Sequence, residues 1–146
     1  GTFTNCTGGH MAFGGGDGGT ASGTFYDCIG GHAAFGGNTT GGDIGTASGT
    51  FDGCSGGDGA FGGGDGTASG TFDDCTGGAD AFGGTASGTF TNCTGGNDAF
   101  GGSGSADGGV FRHCTGGTNA FTGTFSTTAP IHLFCIKDDA QYSGND

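Results

Sequence analysis

Apolar positions along this chain recur in a fixed phrase, F-x-x-C-x-G-G-x-x-A-F. Six copies are nearly complete: Phe3–Cys6–Phe13, Phe25–Cys28–Phe35, Phe51–Cys54–Phe61, Phe72–Cys75–Phe82, Phe90–Cys93–Phe100 and Phe111–Cys114–Phe121. A seventh, His132–Cys135–Tyr142, is degraded. Spacing inside the phrase never slips. Spacing between successive Cys does, at 22, 26, 21, 18, 21 and 21 residues. A rigid unit with elastic joints is the mark of stacked repeats.

The shortest joint, residues 82–90, shows how a unit is built. Alternate residues of a strand face opposite sides. One side of this stretch carries Phe82, Gly84, Ala86, Gly88 and Phe90; the other carries Gly83, Thr85, Ser87 and Thr89. Large apolar groups sit at both ends of the inner side and tiny ones in the middle. Phe and the Cys three residues later would then fall on opposite faces, so the backbone must reverse its parity between them. The residue before Cys is Asn5, Asp27, Gly53, Asp74, Asn92 or His113. These types tolerate left-handed backbone geometry. A corner is predicted there, and a second at the Gly-Gly pairs, such as Gly8–Gly9 and Gly77–Gly78.

The predicted fold is all-β: a flattened parallel β-solenoid of about seven rungs, without helix. Its interior holds three ladders. The first is Phe3, Phe25, Phe51, Phe72, Phe90 and Phe111. The second is Cys6, Cys28, Cys54, Cys75, Cys93, Cys114 and Cys135. The third is Phe13, Phe35, Phe61, Phe82, Phe100, Phe121 and, in the degraded copy, Tyr142. Residues 1–121 form six rungs. Residues 122–146 hold the only Pro, Lys and Leu and read as a degenerate last rung that caps the stack or contacts another subunit, since terminal repeats are commonly atypical. At ~4.8 Å per rung the stack makes a rod of roughly 30–35 Å.

Composition agrees with this picture more than with disorder. Leu, Ile, Val and Phe supply only 20 of 146 residues and the net charge is −12, a profile that by itself suggests an unfolded chain. Yet there is one Pro, one Lys, one Gln and no Glu, and 12 of the 14 Phe fall in register. Two basic residues, Arg112 and Lys137, cannot form a phosphate-binding surface, so nucleic acid is not an expected partner. No apolar run approaches membrane-spanning length, and no membrane insertion is expected. The chain opens inside the phrase, without the TAS that precedes later copies, as an excised or processed piece of something longer would.

Cys, Asp and His are the residues that could carry chemistry here. Zinc-type sites need close Cys pairs, and C-x-x-C does not occur. That leaves a buried thiol ladder first and disulfides between neighbouring rungs second. Asp17, Asp43 and Asp65 lie in Gly-rich joints and are the candidates for calcium, the one cofactor left open; their order departs from calcium-binding nonapeptides. His10 and His32 share one position on adjacent rungs, as exposed corner residues or a two-His metal site. Asp52 and Asp73, two residues before Cys on adjacent rungs, could pair as the carboxylates of glycoside hydrolysis, with solvated charge the simpler reading. No enzyme is expected, because a residue repeated in every rung lacks a unique environment.

The most suggestive surface is the outward side of the Thr-Ala-Ser-Gly-Thr-Phe joint. It predicts three hydroxyl ladders: Thr20, Thr46, Thr67 and Thr85; Ser22, Ser48, Ser69 and Ser87; Thr24, Thr50, Thr71 and Thr89. Strands favour Thr in any case, but a flat uncharged hydroxyl array resembles the ice-binding faces of β-solenoid antifreeze proteins and would equally suit a glycan or a neighbouring fibre.

Units such as GTFTNCTGGNDAFGG at 88–102 resemble the repeats of large secreted parallel β-helix proteins, autotransporter-like adhesins and phage fibre stalks, over residues 1–121. The resemblance implies a structural role at the cell or virion surface or in the extracellular space, with self-association, end to end or lateral, or further repeats of a longer chain as partner.

Overall fold

A computed structural model describes residues 1–16, 18–37, 44–101, 104–106, 108–121, 131–137 and 140–142. Side chains at 131–133, 137 and 140–142 lie outside that description. The fold is a parallel β-solenoid of about five turns. Among the described residues there is no helix.

Three ladders run along it. The first is a seven-stranded parallel sheet of β1 (Thr2–Thr4), β3 (Thr24–Tyr26), β5 (Thr50–Asp52), β7 (Thr71–Asp73), β9 (Thr89–Thr91), β10 (Val110–Arg112) and β12 (Ile131–Leu133). Its register puts Phe3 beside Phe25, then Phe51, Phe72, Phe90, Phe111 and His132. The second contains β2 (Thr20–Ala21), β4 (Thr46–Ala47), β6 (Thr67–Ala68) and β8 (Thr85–Ala86), which bridges on to Ser105. The third begins one residue after each Cys, through bridges joining Thr7, Ile29, Ser55, Thr76, Thr94 and Thr115. It ends in β11 (Thr115–Gly116) and β13 (Cys135–Lys137). The sequence pattern gave no sign of this third wall, because single residues carry it.

The corner before Cys is where the parity argument puts it. Asn5, Asp27, Gly53, Asp74, Asn92 and His113 all take φ between 49° and 62°, and Phe134 does so in the last unit. This returns each Cys to the interior. The second corner is not at Gly-Gly. The left-handed residues lie downstream, at Met11, Ala33, Gly59, Asp80, Asp98 and Asn119, and again at Gly14, Gly36, Gly62, Gly83 and Gly101. The first Gly of each pair has a different task. A Cβ on Gly8, Gly30, Gly56, Gly77, Gly95 or Gly116 would stand 2.3–2.4 Å from the Cβ of the Ala four residues later. The phrase therefore pairs G with A because the turn folds one onto the other. The second Gly links rungs through its amide, as in Gly31 N–H to the Gly9 carbonyl at 3.0 Å.

Inside, rings of each Phe column stack at 4.6–5.0 Å with nearly parallel planes. The two columns meet edge to face at 5.4–6.2 Å. Each such pair contributes about 0.5–1.5 kcal/mol beyond simple burial. From Phe25 to Phe121 the rings are buried, as are Ala47, Ala68 and Ala86 between them. At the first turn Phe13 is half-buried and Phe3 is exposed.

The last unit does not complete a further rung. After β13 the chain reverses into β14 (Ala140–Tyr142), which pairs antiparallel with β13 and sets Tyr142 opposite Cys135. Tyr142 therefore occupies a returning strand, not the turn where the second Phe of other units sits. The solenoid has about five turns where about seven rungs were expected, and the last unit reverses instead of adding one.

Candidate functional site

With the interior filled by identical side chains, any distinctive chemistry must sit on the thiol column or on the outward ladders. The thiols come first. All seven Cys are free, six of them buried and Cys6 half-buried. Each described thiol from Cys28 to Cys114 donates towards two backbone carbonyls, one of its own rung and one of the preceding rung. Cys75 Sγ, for example, lies 3.2 Å from the Asp73 oxygen and 3.4 Å from the Phe51 oxygen. The thiols also hydrogen-bond one another. The bond with Cys75, then burial, pushes the Cys54 thiol up. Bonds with Cys114 and Cys75, then burial, push up Cys93. Bonds with Cys54 and Cys93 pull Cys75 down, and bonds with Cys135 and Cys93 pull Cys114 down, while burial opposes the thiolate at all four. The column is a buried structural spine, its thiols held by backbone carbonyls of two rungs in every turn, with no one thiol set apart as a nucleophile.

The outward hydroxyls keep the predicted register. Thr20, Thr46, Thr67 and Thr85 stack in the second ladder. Thr24, Thr50, Thr71 and Thr89 stack in the first. They are not one flat strand. The Ala carbonyl before each Ser-Gly accepts from both following residues of the next turn, as Ala47 does from Ser69 at 3.0 Å and Gly70 at 3.2 Å. Ser22, Ser48, Ser69 and Ser87 thus mark a bend between two sheets. Thr50, Thr71, Ser48 and Ser69 are exposed, while Thr67, Thr85, Ser87 and Thr89 are partly covered. A further hydroxyl row, Ser55, Thr76, Thr94 and Thr115, lies on the third wall.

Charge collects on the corner edge. Asp52 and Asp73 lie opposite one another in β5 and β7. With Asp74 their carboxylates come within 4.8 Å of one another, all exposed. The Asp52 carboxyl is raised, first by its slight desolvation and then by Asp73 and Asp27. Asp80, partly covered, is raised by burial and then by Asp98, Asp58 and Asp65. Oxygen ligands of this kind suit a hard cation, which takes six to eight; three exposed carboxylates leave most of that shell to water. Of the calcium candidates, Asp17 and Asp43 lie outside the described residues, and Asp65 is exposed in a joint turn away from this trio.

His10 and His32 stack face to face, centroids 5.1 Å apart and planes 2° apart. Parallel rings aim their nitrogens alongside each other instead of at a shared point. At the equivalent position of the next turns, the Asp58 carboxylate accepts from Ala79 N–H at 2.9 Å. Asn97 likewise accepts from Thr118 N–H at 3.1 Å. This edge is held by side-chain-to-backbone caps. At the first-turn end, Phe3, Phe13, Ala21 and Phe25 line a hollow of about 410 Å³.

Comparison with protein-family models, curated proteins and solved structures yields no match for this chain.

Proposed function

We propose that this chain is a structural repeat protein, a stalk or subunit of an extracellular fibre, filament or surface adhesin on a cell or virion, and that it is not an enzyme. The observation that carries the reading is the unbroken double column of stacked Phe, the same in every described turn. Nearly all invariant chemistry is spent on a stiff core, and what varies lies in the joints. Self-association or continuation by further repeats fits the first turn, where the edge strand β1 and 40 % exposed Phe3 offer the ladders to another rung. Nucleic acid does not fit a surface with net charge −12. No described helix is long and apolar enough to cross a membrane. Negative-stain microscopy across a concentration series tests the reading: rods or end-to-end chains are expected. Compact single particles at every concentration would sink it.

Ice binding is the second reading, favoured by the register of the Thr ladders. It predicts thermal hysteresis that falls when Thr67 and Thr71 become Tyr. Absence of hysteresis in the parent chain removes it, and binding to a glycan array would instead favour an adhesin.

A further inference from the structure

The corner before Cys carries a second pattern. In two units the corner residue is Asn and the residue after Cys is Thr: Asn5-Cys6-Thr7 and Asn92-Cys93-Thr94. Asn-x-Thr, with x other than Pro, is the acceptor for N-linked glycans and belongs on the surface of a secreted protein. The fold presents both tripeptides in the required way. Asn5 and Asn92 stand at left-handed corners, φ 52° and 53°, and both are exposed. Thr7 and Thr94 are exposed too. The intervening Cys turns inward, with Cys93 Sγ held by the Thr91 and Phe72 oxygens at 3.3 and 3.5 Å. The backbone at each Asn is anchored to the next turn, by Asn5 N–H to the Tyr26 oxygen at 3.0 Å and Asn92 N–H to the Arg112 oxygen at 2.9 Å. The flanking corner residues Asp27, Asp74 and His113 are themselves exposed, so room for a bulky group exists.

We propose that Asn5 and Asn92 are N-glycosylation sites, an inference that rests on the extracellular reading above. The donor class is an oligosaccharide linked to a lipid diphosphate. The Asn side-chain nitrogen attacks the anomeric carbon and forms the N–C bond. The C–O bond to the diphosphate breaks, the lipid diphosphate leaves, and the amide nitrogen loses one proton to base. Nothing is oxidised or reduced. Four steps of the first ladder separate the two sites, about 19 Å by strand spacing. Both glycans would stand on one edge, leaving the Thr and Ser walls bare.

The test is expression of the full chain through a eukaryotic secretory pathway, with intact mass and gel mobility before and after an amidase that removes N-glycans. A third tripeptide, Asn38-Thr39-Thr40, lies outside the described residues and is silenced by Asn38→Gln. In that background two amidase-sensitive steps are expected. Thr7→Ala and Thr94→Ala, which leave the Asn corners intact, should each remove one. A secreted chain unmodified at Asn5 and Asn92 overturns the sites, and modification at only one overturns the other. Rods formed by an unmodified chain leave the structural reading standing, whereas glycosylated particles that are not rods overturn that reading and keep the sites.

Discussion

A single methyl group separates a tolerated residue from a forbidden one in this phrase. Gly77 would set a Cβ 2.3 Å from Ala81 Cβ, whereas a Cβ on Gly9 meets nothing within 4 Å. Gly77→Ala should destabilise by about 1–3 kcal/mol through overpacking, and Gly9→Ala should leave the urea midpoint almost unmoved. Equal effects of the two would refute the packing role of the first Gly. The same contrast explains what the sequence could and could not tell. Asn, Asp, Gly and His before Cys announce a left-handed corner, and the corner is there. Met11, Ala33, Phe13 and Phe35 also take φ of 50–55°, and nothing about those side chains favours it. Tertiary stacking imposes it, so the second turn was misplaced onto the Gly-Gly pairs, whose glycines answer to close packing instead.

At the scale of the element, strands of two or three residues cannot persist alone. Each depends on its copy in the next turn, and the Phe columns supply the bond. Phe72 is wholly buried and touches four other rings. Phe72→Ala should cost about 3–5 kcal/mol, read as a lower melting temperature, and more than truncating the exposed Phe3. The thiol column makes a separate prediction. Alkylation of the native chain, followed by mass measurement, should leave Cys28 to Cys135 unlabelled, with all seven reacting in denaturant after reduction is omitted. Fast native labelling of Cys54 or Cys93, the two thiols pushed up, would contradict a buried column. The alternation of the Thr joint was legible because it follows period two. The third wall was not, because one bridging residue per turn has no period to read.

For the whole molecule the dominant long-range force is self-repulsion. Asp52 lies beside Asp73 along the rungs, and Asp52 and Asp80 are both raised from the ordinary Asp value by desolvation and by neighbouring carboxylates. A raised carboxyl binds more protons in the native than in the unfolded chain between its two pKa values. Stability contributed by that proton is present at the acid side and is lost as pH rises through the folded value. Thermal melts at low ionic strength should therefore show a higher midpoint near the upper carboxylate range than at neutral pH. Added salt should narrow the gap by screening. A midpoint that rises steadily towards neutrality would overturn this account.

The joints between successive Cys differ by eight residues at the extremes, from 18 to 26, yet ring spacing between turns stays at 4.6–5.0 Å. Contour length and reach are therefore decoupled. Adding residues to a joint thickens the molecule locally without lengthening it, and only a whole turn changes its span. Such a chain is graduated like a ruler: its divisions are fixed by stacked backbones, and its margins are free to be rewritten.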